Sequence, residues 1–283
     1  NHASLRDGAR LSGARISRYA HGDVGAALAA VGLAQAPTPS PLTPLPQGGE
    51  GNISHTLITT DGTFSMDGDC ADWHALQTLA QQHGAWLMMD DAHGLGVFGE
   101  RGLGLLDAPP RPSPPDIYTA TLGKAFGLAG AFVAGSEALI EYCVQKARTL
   151  VFSTAPPPAL AYAGLTALGM VQNAHAERAH LAALITQFKH GAAQLGRPLL
   201  PSNTAIQPLL LGDETRALAA SQALLQQGLL VAAIRPPTVP KGTSRLRITL
   251  TAAHTPQQVE RLLAALAAVF SLHNAPTRIF GHH

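Results

Sequence analysis

Apolar positions recur along this chain in two different rhythms. Residues 72–84 place Trp73, Leu76 and Leu79 on one face of a 3.6-residue period, with Asp72 in front and Gly84 behind. That pattern predicts an amphipathic helix with an aspartate cap and a glycine stop. Residues 85–91 form instead a continuous apolar run that ends in two aspartates, which suits a buried parallel strand ending in a site. Residues 55–60, 116–121 and 131–135 predict further short strands. Asp23 predicts the cap of a short Ala, Val and Leu helix over 23–33. Residues 137–150 and 159–195 predict long helices parted near Pro156-Pro157-Pro158. Strands alternating with helices imply an α/β fold with a mostly parallel sheet and right-handed crossovers. Ligands of such sheets collect at the carboxyl ends of the strands, and Ser65, Asp90 and Lys124 all lie just beyond predicted strand ends.

The rhythm changes in the last third. Residues 205–211 and 229–234 predict strands, 245–250 alternates as a strand should, and 256–270 predicts a terminal amphipathic helix. This is a smaller α+β arrangement, so a large domain is expected over 1–170 and a small C-terminal domain over 171–283. Residues 37–51 hold five prolines and three glycines. Neither a helix nor a central strand accommodates these, so an inserted loop is expected. Residues 271–283 carry no clear signal.

Composition narrows the classes. With 46% hydrophobic and 13% charged residues, the 283-residue chain can bury a core, which excludes a disordered reading. A net charge of +1 without a basic block gives no reason to expect nucleic acid or an anionic membrane surface as partner. No apolar run reaches transmembrane length and no signal peptide is visible. The 13 histidines are scattered without metal-ligand spacing, so no metal is expected. Cys70 and Cys143 make no disulfide framework, which fits a reducing cytoplasm. The opening Asn1-His2-Ala3-Ser4 lacks an initiator methionine, and a missing upstream part is expected.

The chemistry concentrates in two blocks. In residues 121–130, Lys124 sits among small residues, with Thr121 three positions before it and Gly127 and Gly130 after. A lysine in a tight turn can form a Schiff base. Asp90-Asp91-Ala92-His93 stands about thirty residues upstream, where an aspartate and a histidine can tune a pyridine ring. Together these residues point to pyridoxal phosphate (PLP), whose sites commonly pair a Schiff-base lysine with an acidic partner for the ring nitrogen.

The lysine block, Phe64-Ser65-Met66-Asp67-Gly68-Asp69, Asp90-Asp91-Ala92-His93-Gly94 and Thr238-Val239-Pro240-Lys241-Gly242-Thr243 together resemble the α-oxoamine synthases. These are class II PLP-dependent acyltransferases, and the likeness spans nearly the whole chain apart from 37–51 and the tail. It implies the PLP-dependent transferase fold type I. It also implies a decarboxylative condensation of an amino acid with an acyl thioester. Ala205-Ile206-Gln207-Pro208 and the stretch 233–238 are most similar to the branch that joins L-alanine to a pimeloyl group on CoA or acyl carrier protein. The glycine C-acetyltransferase and 5-aminolevulinate synthase branches, or a non-catalytic relic or partner subunit of the same fold, are the alternatives.

The resemblance also implies roles. Lys124 would carry the Schiff base and act as the proton-transfer base. Asp90 would pair with the pyridinium nitrogen, leaving Asp91 as a local structural residue or helix cap. His93 would hydrogen-bond the phenolic oxygen of the cofactor, and His2 would stack on its ring and help position the acyl carbonyl. Ser65 would contact the ring oxygen, Thr121 would lie near the phosphate, and Thr154 would reach the cofactor phosphate of a partner subunit in a homodimer. Arg247 would grip the substrate carboxylate, with Arg235 and Thr238 as further substrate contacts, and Arg245 is expected to be a solvated strand residue. In this family a Gly-rich segment upstream of the stacking histidine cradles the phosphate. Residues 1–283 do not contain it, so this stretch by itself is expected to be weakly active or inactive.

Overall fold

The computed structural model describes residues 1–35, 56–107, 113–196 and 199–273. The expected insert at 37–51 and most of the tail lie outside the described residues. The chain divides into two compact units, Asn1–Phe64 with Cys70–Ala174, and Ser65–Asp69 with His175–His283.

The first unit opens with α1 (Ala3–Leu11) and α2 (Val24–Gln35). Asp23 caps the second as the sequence predicts, accepting from Ala26 N at 2.8 Å. Then come β1 (Leu57–Asp61), α3 (Trp73–Gln82), β2 (Trp86–Asp90), a 3₁₀ turn (Gly104–Asp107), β3 (Ile117–Thr121) and β4 (Ala131–Gly135). Asp72 caps α3 through Ala75 N at 3.1 Å. The strands form one sheet in the order β1-β2-β3-β4. The first three are parallel, and β4 runs antiparallel to β3. The link from β2 to β3 carries the 3₁₀ turn and, among its described residues, no α-helix, a departure from strict strand–helix alternation.

Alternation along the strands aims Ile58, Thr60, Leu87, Met89, Tyr118 and Ala120 to one face. All six are buried, Leu87 and Met89 completely, and complete burial of such a side chain stabilises by about 1.5–3 kcal/mol. Trp73, Leu76, Leu79 and Ala80 of α3 complete the two apolar clusters of this unit. On the opposite face Trp86 is 50% and Leu57 48% exposed. The continuous run at 85–89 predicts burial on both faces, and the described residues cover one.

The unit ends with α4 (Glu137–Lys146), α5 (Arg148–Val151) and α6 (Pro158–Asn173). Two breaks escape the sequence pattern. Ala147 leaves the helical region at ψ 101°, and Ala174, at φ −78° and ψ 43°, separates α6 from α7 where a continuous helix over 159–195 is expected. Alanine is the best helix former, so neither break has a propensity signal.

The second unit contains α7 (His175–Gln194), β5 (Ile206–Gly212), α8 (Glu214–Gln226), β6 (Ala232–Ile234), β7 (Ser244–Thr249) and α9 (Pro256–His273). Its sheet has the order β5-β7-β6 with both pairings antiparallel. Pro208 sits in β5, an edge strand, where its missing N–H costs least. On the central strand, Leu246 and Ile248 are buried on one face, while Arg245 and Arg247 share the other. Among the described residues no helix is long and apolar enough to cross a membrane.

Candidate active site

Three parallel strands of the first unit end together. Asp61 pairs in register with Asp90, and Asp90 with Thr119, so Asp61, Asp90 and Thr121 stand along one edge. After β2 the chain turns sharply, because Asp90 Oδ1 accepts from Ala92 N at 3.0 Å. His93 lies half-buried in that turn.

After β3 a loop closes on itself. Thr121 Oγ1 accepts from Gly123 N and donates to Gly130 O, each at 3.1 Å. Leu122 N donates to Gly130 O at 2.9 Å, Leu128 N to Leu122 O at 2.8 Å and Gly127 N to Lys124 O at 3.0 Å. Gly130, at φ +112°, takes a conformation that side chains disfavour, and there the chain reverses into β4. Lys124 is exposed near the apex. The two turns are in contact. A Cβ placed on Gly96 would fall 2.5 Å from Ala125 Cβ, so this glycine lets the His93 turn lie against the lysine loop. Asp90, His93, Thr121 and Lys124 are therefore gathered at one end of the sheet.

His2 caps α1, its Nδ1 accepting from Ser4 N at 3.3 Å and lying 2.8 Å from Ser4 Oγ. Its neighbour Asn1 bonds to the β1 edge like a short strand partner. Asn1 Nδ2 donates to Thr59 O at 2.9 Å, and Asn1 Oδ1 accepts from Asp61 N at 3.4 Å. The pair of bonds holds His2 at the level of the strand ends. Burial raises the Asp61 carboxyl above its ordinary value. Thr154 lies exposed between α5 and α6 and bonds to none of the other candidates among the described residues.

Asp91 has a larger part than a local cap. It is completely buried. Its Oδ2 accepts from Leu105 N at 2.7 Å and from the Tyr118 hydroxyl at 3.0 Å, and its Oδ1 has no hydrogen-bond partner. Glycines crowd it: a Cβ on Gly94 or Gly104 would fall 2.0 Å from one of its oxygens, and one on Gly62 2.9 Å. Burial pushes the carboxyl up to about 7, with neighbouring Asp90 adding to the rise against the restraint of the Leu105 and Tyr118 bonds. The Tyr118 hydroxyl is pushed up in turn by burial and by Asp91. Asp91 thus ties the turn after β2 to the 3₁₀ turn and to β3. A pair of adjacent aspartates in sequence does not reveal this.

In the second unit, Ser65 is half-buried in the short segment that joins this unit from between β1 and α3. Arg247 on β7 is also half-buried, its Nε is buried without a partner, and burial lowers its pKa. A guanidinium that has lost water and found no carboxylate among the described residues suits an anionic ligand. Arg235 follows β6 and faces Glu214 at 3.7 Å, with both side chains about half exposed. Thr238 N donates to Arg235 O at 3.0 Å in the turn that follows. Arg245 departs from its expected solvated state: it is buried and paired with Asp67 at 2.7 Å.

The donor set fits PLP. Lys124 offers a primary amine of the kind an aldehyde needs, Asp90 a carboxylate that would suit a ring nitrogen and His93 an imidazole that would suit a phenolic oxygen, and the glycine at position 96 allows their turns to meet. The match to known proteins agrees. The model of the family described as aminotransferase class I and II matches residues 1–266. An 8-amino-7-oxononanoate synthase from Alkalilimnicola ehrlichii is 53% identical over 270 residues, 95% of this chain and 65% of the relative. A high-resolution structure of SPT with PLP superposes with a TM-score of 0.86 at 29% identity, over 96% of this chain and 65% of that one. The crystal structure of 8-amino-7-oxononanoate synthase from Francisella tularensis gives 0.78 at 27% identity, over 96% and 73%. The chain spans about 65% of the length of the curated relatives it matches.

Proposed function

The chain belongs to the aminotransferase class I and II family, and from that premise we propose that it serves a PLP-dependent acyltransferase. The reaction joins L-alanine to a pimeloyl thioester, on CoA or acyl carrier protein, to give 8-amino-7-oxononanoate for biotin synthesis. The observation that carries this reading is the contact between the His93 turn and the lysine loop at the strand ends. The choice among acyltransferases is supported by the identity to 8-amino-7-oxononanoate synthases.

When bound, PLP supplies the electron sink for negative charge at the substrate Cα. The protein supplies position and proton transfer. Lys124 Nζ would hold the cofactor through its aldehyde and would serve as the base that takes the alanine Cα proton. Arg247 holds the alanine carboxylate and fixes which Cα bond is aligned to break. Asp90 would balance the ring nitrogen's positive charge, His93 and Ser65 would bond to the phenolic oxygen, and Thr121 would serve the phosphate. His2 would serve the ring and orient the acyl carbonyl, with Arg235 and Thr238 as further substrate contacts. The Cα would bond to the acyl carbon as the C–S bond breaks and the sulfur leaves as thiolate, to be protonated by water. The bond from Cα to the carboxylate would then break with loss of carbon dioxide, and the proton held by Lys124 would return to Cα.

The test is direct. The full-length protein that carries this chain, given PLP, L-alanine and pimeloyl-CoA, should release thiol and carbon dioxide in equal amounts and yield a product of the mass of 8-amino-7-oxononanoate. Product with glycine in place of alanine, and none with alanine, would overturn the substrate assignment. Arg247→Ala is expected to raise the alanine KM by about 10²-fold, the cost of a paired charge-assisted contact. Arg247→Lys should recover little, because an ammonium cannot reproduce the planar fork.

A homodimer is part of the proposal, with Thr154 reaching the neighbouring subunit's phosphate. It is supported by the exposure of Phe152, Tyr162, Leu165 and Met170, each at least 70% exposed, since large apolar surfaces mark association sites. Sedimentation should give a dimer at micromolar concentration, and a monomer there would overturn it. The cytoplasm is the proposed location, supported by Cys70 and Cys143, which form no disulfide with each other.

A further inference from the structure

The segment Ser65–Asp69 follows β1 in sequence but packs within the second unit, and three contacts secure it there. Arg245 Nη1 donates to Asp67 Oδ1 at 2.7 Å and to Met66 O at 3.1 Å, while its Nε donates to Thr243 O at 2.9 Å. The Arg245 side chain is only 5% exposed. Ser202 Oγ donates to Gly68 O at 2.8 Å. Gly68 has φ +75°, and a Cβ there would fall 2.4 Å from Ile206 O, so any side chain would push the segment off β5.

Two arginines thus share one face of β7 with opposite fates. Arg245 has its charge met by Asp67, its Nη1 also on Met66 O in the Ser65 segment and its Nε on Thr243 O. Arg247, two residues on, keeps a buried Nε without a partner. A strand spaces such residues by about 7 Å, so the arginine left open for an anion lies one side-chain position from the arginine that holds Met66 and Asp67, the two residues after Ser65. Burying an ion pair is a poor way to gain stability, but a rigid one fixes geometry.

We propose that Arg245 and Asp67 are positioning residues for the reaction, a clamp that fixes the Ser65 hydroxyl against the strand carrying Arg247, so that the cofactor contact and the substrate-carboxylate contact are held in one register. The clamp rests on the roles of Ser65 and Arg247 given above.

The experiment is a double-mutant cycle on PLP affinity, measured by absorbance titration of the apoprotein, with L-alanine affinity of the PLP-loaded protein as second readout. Asp67→Asn keeps the shape and removes the charge. Ser65→Ala should weaken PLP about 10-fold in the wild type and less than 2-fold beside Asp67→Asn, because Asp67 acts through Ser65. Asp67→Asn should weaken L-alanine by a similar factor. An equal Ser65→Ala cost in both backgrounds would make the pair ordinary structural glue and overturn the clamp. No cost of Ser65→Ala in the wild type would overturn the Ser65 role and the clamp with it, and no PLP binding by the wild type would overturn the functional reading itself. Should Asp67→Asn fail to fold, Arg245→Lys carries the same cycle, with the same three outcomes.

Discussion

Lys124→Ala abolishes turnover, by at least about 10³-fold, and leaves the fold intact. Both halves of this expectation have a structural reason. The loop that presents Lys124 is closed by backbone bonds, from Leu122 and Leu128 and to Gly130, and by the Thr121 hydroxyl, none of which uses the lysine Nζ. The residue is exposed, and substitutions at such sites usually change stability by less than about 0.5 kcal/mol. The catalytic loss has two sources. A positioned general base contributes about 10²–10⁴-fold, and the covalent tether that presents the cofactor is lost as well. Borohydride reduction of the PLP-loaded wild type, followed by peptide mapping, should label Lys124. The variant should carry no label there and still unfold at the wild-type temperature. Label spread over surface lysines in the wild type, or a variant that turns over normally, would remove Lys124 from the chemistry.

The sequence made the loop around Lys124 legible because its block is local: the threonine, the lysine and the glycines that close the loop lie within ten residues. The place of Asp90 at a strand end was legible for a similar reason, since an apolar strand ending in acid carries its own direction. What escaped was whatever depends on a distant partner. Alternation puts Arg245 and Arg247 on one face but does not say what covers that face, and Asp67, which neutralises Arg245, is 178 positions away. The same limit applies to Trp86. An apolar run shows that a strand can be buried on both faces, not which faces the rest of the chain covers. The division at Ala174 was hidden for the opposite reason, because nothing in the local composition opposes a helix there. Asn1 acts through an amide that mimics a strand edge, a contact with no sequence signature.

Asp91 offers the sharpest example of hidden function in the fold, and a test by pH. Its folded pKa is raised from 3.8 to about 7, first by burial, so between those values the folded chain binds a proton that the unfolded chain has released. The stability it contributes is fully present below about pH 4 and is lost as pH rises through 7. At roughly 1.36 kcal/mol per pH unit, that gap is worth about 4 kcal/mol. The neutral acid has a way to keep its bonds: its proton can go to the Tyr118 oxygen, whose own hydrogen turns to Leu103 O at 3.5 Å. A neutral Asp91 also adds no second negative charge beside Asp90, where the proposed ring nitrogen would sit. Asp91→Asn removes the titration while keeping an acceptor for Leu105 N and Tyr118. Denaturant unfolding from pH 4 to pH 8 should therefore show the variant gaining on the wild type by about 4 kcal/mol across the range, with nearly all of the change between about pH 4 and pH 7. Parallel curves for the two proteins would mean that Asp91 stays ionised inside the glycine cage. Asp91→Ala should destabilise at every pH, because it leaves the Leu105 amide without an acceptor and opens a cavity where Gly62, Gly94 and Gly104 have made room for a carboxyl group.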